Sequence, residues 1–174
     1  MTRLTDIYDK MISNGSLEDD LCQRKIVEQL ENISRQVSNL KKKSIFFRKS
    51  SDINGAYIWG GVGCGKSMLM DLFVENLSIP NRRVHFHAFM QEIHNSLHKA
   101  RSSGVKDPLA LVANEVIKNF KVLALDEMQI KDITDAMIVG RLFNLLFDGG
   151  VVIVTTSNRI PSDLYKNGLN RQLF

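Results

Sequence analysis

Eight consecutive residues, Gly60-Gly61-Val62-Gly63-Cys64-Gly65-Lys66-Ser67, fit the pattern G-x-x-x-x-G-K-[ST]. Each part of that pattern has a physical task. Glycines let the backbone bend around a phosphate with its N–H groups turned inward, and the helix that follows from Met68 offers its positive N-terminal end. Lys66 is the group to reach the β- and γ-phosphates of ATP, and the Ser67 hydroxyl is a ligand for Mg²⁺. The bare pattern occurs by chance in unrelated proteins, so its setting matters. Here the apolar strand Ala56-Tyr57-Ile58-Trp59 runs into it and an apolar helix leaves it. A glycine turn that binds nothing does not explain that setting.

A second group of chemical residues closes Val122-Leu123-Ala124-Leu125-Asp126-Glu127. A carboxylate at the tip of a buried strand is costly unless it has a task or a partner. Asp126 is placed to hold the Mg²⁺ shell, and Glu127 to activate or orient the attacking water. The adjacent glutamate separates hydrolysing ATPases from many phosphate-loop kinases that lack it. A GTPase reading fails: the D-x-x-G match at Asp52 to Gly55 precedes the phosphate loop, and there is no N-K-x-D motif. A third element, Val151-Val152-Ile153-Val154-Thr155-Thr156-Ser157-Asn158-Arg159, ends a strand on an amide that can sense the γ-phosphate and position water. The alternative for Asn158 is an asparagine capping a turn. Arg171 is a candidate arginine finger for a neighbouring subunit's ATP, which implies a homo-oligomer. The alternative is an ordinary surface arginine.

The elements that must position these groups alternate along the chain. Helices are expected at 68–77, 90–101, 108–119 and 133–147, and strands at 56–59, 83–89, 122–125 and 151–155. Strands alternating with helices imply an α/β fold, a parallel sheet covered by helices on both faces. Before them, Ser16 with Asp19 resembles a capping box that opens one amphipathic helix over 16–40. Its apolar stripe is Leu17, Leu21, Ile26, Leu30, Ile33, Val37 and Leu40. Residues 1–50 thus form a helical segment with a basic linker, and 51–174 the nucleotide-binding core.

Composition sets the outer bounds. The 174 residues suffice for one domain with a proper core. No apolar run is long enough to span a bilayer. Met1 to Asp6 lacks the apolar stretch of a secretory signal, and the early Asp6 and Asp9 oppose a mitochondrial presequence. Cys22 and Cys64 form no disulfide framework, which fits a reducing cytoplasm. The net charge of +4 owes part of its excess to Lys41-Lys42-Lys43 and Arg48-Lys49. That run reads as a solvated linker; the other reading is a contact with nucleic acid or an acidic partner, and composition does not choose.

With these motifs in place, the chain resembles the ZapE/Afg-type ATPases, a branch of the AAA+ class. The resemblance is carried by 60–73, by Val84-His85-Phe86-His87-Ala88-Phe89-Met90, by 125–137, and by Thr156-Ser157-Asn158-Arg159 with 163–169. It implies an AAA+ sheet of order 5-1-4-3-2 and an ATPase that acts with Mg²⁺. For bacterial members it implies a cytoplasmic protein tied to cell division, near the tubulin-like polymer of the division ring. Mitochondrial members assist protein turnover; lacking a presequence, the chain sides with the bacterial kind. The loop residues Gly60, Gly61, Val62, Gly63, Cys64, Gly65, Lys66, Ser67 and Met68 match the family's nucleotide-binding segment.

The chain also departs from the family pattern. Cys64, Met128 and Lys131 stand where threonine, phenylalanine and threonine are usual. The family continues beyond the position of Phe174, so the resemblance implies a truncated product or fragment without the fifth strand and helical lid. Ala56 to Trp59 would then be an unpaired apolar edge, and nucleotide affinity and hydrolysis would be weaker than in a complete member. Four histidines, His85, His87, His94 and His98, invite a zinc reading. No cysteine lies near them, and the resemblance already accounts for the first pair. Two functional classes remain, an ATP-hydrolysing remodeller of a protein partner and an ATP-gated nucleic-acid loader, with an inactive truncated remnant as a third reading.

Overall fold

The parallel sheet is built from three short, largely apolar strands and one polar strand, Asn81–His85, which alternate with helices. The computed structural model describes residues 3–40, 53–130 and 133–164. The basic run Lys41 to Lys43 with Arg48 and Lys49, Lys131, and the candidate finger Arg171 lie outside the described residues. In chain order the elements are α1 (Leu4–Ser13), α2 (Leu21–Leu40), β1 (Ala56–Trp59), α3 (Lys66–Glu75), β2 (Asn81–His85), α4 (Phe86–Ser102), α5 (Pro108–Asn119), β3 (Val122–Asp126), α6 (Ile133–Asp148) and β4 (Val152–Ser157). A 3-10 turn, Pro161–Asp163, follows β4.

The described strands pair in the order β1-β4-β3-β2, all parallel. This is the 1-4-3-2 portion of the expected order. Register aligns the C-terminal ends: Trp59 pairs with Ser157, and His85 with Asp126. The segments leaving β1, β3 and β4 therefore emerge at one edge, where ligands bind in open α/β sheets. Both central strands, β3 and β4, are buried along their whole length.

Alternation along those strands sorts the core into two layers. Leu123, Leu125 and Ile153 pack with Phe86, Phe89, Leu97, Val112, Leu142 and Leu146 of α4, α5 and α6. Val122, Ala124, Val152 and Val154 pack with Leu69, Met70 and Phe73 of α3 and with α1 and α2. Two residues beyond Ala124 and Val154, the same parity turns Asp126 and Thr156 towards the α3 side. The period-2 pattern of the strands thus aims the site's polar groups.

Two expectations are corrected. The one helix expected over 16–40 is present but starts at Leu21, and a further helix precedes it. The chain forms α1 first, turns at Asn14-Gly15 with Gly15 at φ +76°, and starts α2 at Leu21. The cap is Asp20, whose Oδ1 accepts from the N–H groups of Cys22 and Gln23 at 2.7 and 3.2 Å. Ser16 instead closes the turn, its N–H bonded to Asn14 Oδ1 at 3.0 Å. Leu21, assigned to the buried stripe, is 75% exposed, while Val27, Leu30, Ile33 and Val37 carry the packing. Through them and through Leu4 and Tyr8, the N-terminal helices share one core with the sheet.

The strand expected at 83–89 ends at His85, and α4 begins at Phe86 with His85 as its N-cap. Alternating His-Phe-His mimics a strand over a short window. Over a longer one, Phe86, Phe89, Met90, Ile93 and Leu97 recur at helical spacing and are all buried. His85 and His87 consequently share no strand face. The other expected helices and strands are present with ends shifted by a few residues at most.

Candidate phosphate-binding site

The loop after β1 reaches α3 through glycines in conformations other residues resist. Gly65 caps α3 at φ +80°, a backbone angle that favours glycine, and a Cβ there would lie 2.8 Å from Gln23 Nε2 and push that side chain aside. Having no side chain, Gly65 gives the first turn of α3 no side-chain cap. That leaves the positive end of a ten-residue helix for another partner.

Lys66, at the start of that helix, folds back over the loop. Its ammonium donates to the carbonyls of Gly60 and Gly61 at 2.8 and 2.6 Å and lies 3.5 Å from Cys64 Sγ. The exposed Cys64 thiol itself donates to Gly61 O at 3.1 Å. Gly60 N–H donates to Ser157 O at 3.2 Å, tying the loop's first residue to the end of β4.

The loop is braced from an unexpected direction. Gln23 of α2 donates to the carbonyl of Cys64 at 3.4 Å and accepts from the Tyr8 hydroxyl at 3.1 Å. Tyr8 is 1% exposed. Burial, ahead of any charge effect, pushes its phenol up from the ordinary value, which keeps it a neutral donor. A helix hairpin distant in sequence therefore reaches the backbone of the 60–67 loop.

The tip of β3 is built around Thr156. Its hydroxyl donates to Asp126 Oδ1 at 3.1 Å and accepts from the Glu127 N–H at 3.0 Å. Its carbonyl accepts from Met128 N–H at 2.7 Å. Glu127 has φ +56°, the one positive value at a non-glycine among the described residues. Strained backbone at a polar loop must be held in place by its neighbours, and Thr156 does this from both sides. The other oxygen of Asp126, Oδ2, accepts from Arg83 Nε at 2.6 Å. Asp126 is 4% exposed, so its charge is answered by these two partners rather than by water. Ser157 fixes the next turn, its hydroxyl donating to Met128 O at 2.8 Å and accepting from Arg159 N–H at 3.1 Å.

A cavity of about 330 Å³ joins the three sequence motifs. Val62, Gly63, Gly65, Lys66, Ser67 and Met68 form one wall; Glu127, Thr156, Ser157 and Asn158 form the other. Of the remaining candidates, Gly60, Gly61 and Cys64 touch the site through Lys66, and Asp126 lies behind it, bonded to the lining Thr156. Hydroxyl and carboxylate oxygens make a hard donor set, which fits Mg²⁺ with most of its waters retained. A larger groove of about 520 Å³ runs between α2 and β1 and contains none of the candidate residues.

Of the histidines, His94 bonds Asp135 of α6 at 2.7 Å, and His98 lies 3.5 Å from the Ser102 hydroxyl. Among the described residues, no group of three or more His, Cys, Asp or Glu could hold a metal ion. Likewise, no described helix is long and apolar enough to cross a membrane.

Sequence reasoning missed Thr156, Arg83 and Gln23. Thr156 sits two residues before the chosen Asn158, and strand parity on β4 could have singled it out. Thr156→Val keeps the shape and deletes the hydroxyl, leaving Asp126 Oδ1 and the Glu127 N–H without that partner. The expected cost is about 1–3 kcal/mol in denaturant unfolding, with turnover reduced as Glu127 loses its anchor. A stability within about 0.5 kcal/mol of wild type would contradict the bridging role.

Residues 2–174 match the family model described as AFG1-like ATPase. The chain belongs to the AFG1-like ATPase family. It is 37% identical to the cell division protein ZapE of Escherichia coli K12, over 98% of this chain and 49% of that one. It is 44% identical to lactation elevated protein 1 homolog B of Danio rerio, over 83% of this chain and 30% of that one. An uncharacterised Schizosaccharomyces pombe protein is 34% identical, over 97% and 46% of the two chains. The chain thus spans about half the length, or less, of these relatives. The fold is shared with solved structures. A replication initiator DnaA bound to AMPPCP and single-stranded DNA superposes with a TM-score of 0.62, at 19% identity, over 91% of this chain and 44% of that one. A DnaI structure gives 0.55, at 20% identity, over 90% and 78%.

Proposed function

We propose that this chain binds ATP with Mg²⁺ between the 60–67 loop and the tips of β3 and β4, and hydrolyses it. The observation that carries the reading is the single cavity shared by Lys66, Ser67, Glu127 and Asn158. Its positive wall is a helix N-terminus with a lysine; its opposite wall is a carboxylate and an amide. A phosphate needs the first, and a water attacking that phosphate needs the second.

Role by role, the N–H groups at Val62, Gly63, Gly65 and Met68 would receive the phosphate oxygens. Lys66 exchanges the carbonyls of Gly60 and Gly61 for the β- and γ-phosphates. Ser67 and Asp126 would hold Mg²⁺, which supplies charge neutralisation of the β- and γ-oxygens. Glu127 takes the proton of the attacking water, and Asn158 orients that water towards the γ-phosphorus. Arg171 remains the candidate finger offered to a neighbouring copy in a homo-oligomer. Residues 51–174 constitute the catalytic core in this reading, with α1 and α2 bracing it through Gln23.

The likeness to ZapE, named as a cell division protein, supports a finer reading. The hydrolysis cycle would drive contacts with the tubulin-like polymer of the division ring in a bacterial cytoplasm. Phosphate release by the purified chain tests the enzymatic part: release must depend on both ATP and Mg²⁺, and release that ignores Mg²⁺ would sink it. Sedimentation with the assembled polymer in ATP, but not in its absence, tests the partner.

A further inference from the structure

Arg83 is placed by register rather than by any motif. It pairs with Ala124 of β3 and so shares the face that carries Asp126 one step further along. Its guanidinium spans two elements. Nε donates to Asp126 Oδ2 at 2.6 Å, Nη1 pairs with Asp71 of α3, and Nη2 lies 3.4 Å from the carbonyl of Ser67. Ser67 and Asp71 stand one turn apart on the helix that opens at the phosphate loop. Only a planar fork of donors reaches a buried carboxylate, an exposed carboxylate and a carbonyl together, which a lysine cannot do.

The three partners differ in what they can give up. Asp126 is 6% exposed at its side chain and has both oxygens engaged, one by Thr156 and one by Arg83. Asp71 is 53% exposed and can keep an arginine at little cost in either arrangement. A divalent ion and Arg83 would draw on the same charge of Asp126, and two cations sharing one buried carboxylate oppose each other.

We propose that Arg83 is a built-in counter-ion of Asp126 that competes with Mg²⁺, holding the carboxylate when the site lacks the ion and withdrawing onto Asp71 when Mg²⁺ and ATP bind. The inference rests on the ATP and Mg²⁺ reading above. It makes Arg83 a positioning residue that sets how much Mg²⁺ the site requires, and it gives Asp71 the task of receiving the released guanidinium. A carboxylate paired in this way stays neutralised beside incoming phosphates instead of repelling them.

The test is equilibrium binding of a fluorescent ATP analogue, titrated with Mg²⁺ from an EDTA-containing start. Arg83→Met should lower the Mg²⁺ concentration for half-maximal binding roughly tenfold, the scale on which a neighbouring charge biases a carboxylate. In EDTA the same variant should bind the analogue more weakly than wild type. Arg83→Lys, which keeps the charge but not the fork, should lower the midpoint less than Arg83→Met does. Asp71→Asn should move the midpoint the other way, because Arg83 then has only Asp126 as a carboxylate partner. An unmoved or raised midpoint in Arg83→Met, or equal behaviour of the Met and Lys variants, would overturn the inference alone. Should Arg83→Met fail to fold, Asp71→Asn decides: a raised midpoint supports competition, and an unchanged or lowered one refutes it. A wild-type chain that binds no analogue at any Mg²⁺ concentration overturns the ATP reading, and this inference with it.

Discussion

Replacing Lys66 with alanine is expected to weaken ATP binding by about a hundredfold and to abolish phosphate release. The magnitude follows from losing a charge-assisted contact to a polyanion in a partly desolvated pocket, about 2–3 kcal/mol. In the structure, the ammonium bonds the carbonyls of Gly60 and Gly61. Those bonds are a resting arrangement that phosphate oxygens can outcompete, since a full negative charge is the better acceptor. The fold should survive, because the Lys66 ammonium bonds only its own loop and Lys66 belongs to neither hydrophobic core. Calorimetric titration with ATP and Mg²⁺, beside a thermal melt, separates the two effects. Binding within about threefold of wild type would show that Lys66 does not meet the nucleotide, at a scale of under 1 kcal/mol.

Glu127→Gln should give the complementary result. The substitution keeps size and hydrogen-bonding reach and deletes the basic oxygen. Hydrolysis should fall by about 10²–10⁴-fold, the usual contribution of a positioned general base, while ATP binding stays near wild type. The strained φ of +56° is set by the Thr156 bonds and not by the carboxylate, so the variant should retain the loop. Single-turnover hydrolysis paired with equilibrium binding reads both quantities. Equal losses in binding and turnover would assign Glu127 to ground-state binding and leave the base elsewhere.

Much of the site was legible because its chemistry is local. The 60–67 loop is one contiguous segment whose glycines and lysine match a phosphate-loop pattern by spacing alone. Asp126, Glu127 and Asn158 each close an apolar run, so polar residues at strand tips stood out. The parallel sheet followed from alternation and the strand order from the resemblance, and the register then brought Ser157 beside Trp59.

What escaped depends on contacts between segments distant in sequence. Gln23 meets the Cys64 carbonyl only because α2 folds onto α3 through Val27, Leu30 and Ile33. Arg83 looked like an ordinary strand residue until β2 was set beside β3. The helix start at Leu21 was misread because Ser16 offered a good capping pattern, whereas Asp20 had the geometry to cap. The start of α4 was misread because His-Phe-His alternates, and only the deeper burial of Phe86, Phe89 and Ile93 settled the period. In the first case one local cap displaced another; in the second, tertiary packing overrode a short local signal.

The most direct measurement is a crystal structure of the chain with a non-hydrolysable ATP analogue and Mg²⁺. The terminal phosphate should lie in the cavity between Lys66 and Glu127, with the ammonium moved off the carbonyls of Gly60 and Gly61 and Asn158 facing the phosphate. A nucleotide seated instead in the groove between α2 and β1, with Lys66 still folded onto its own loop, would contradict the account.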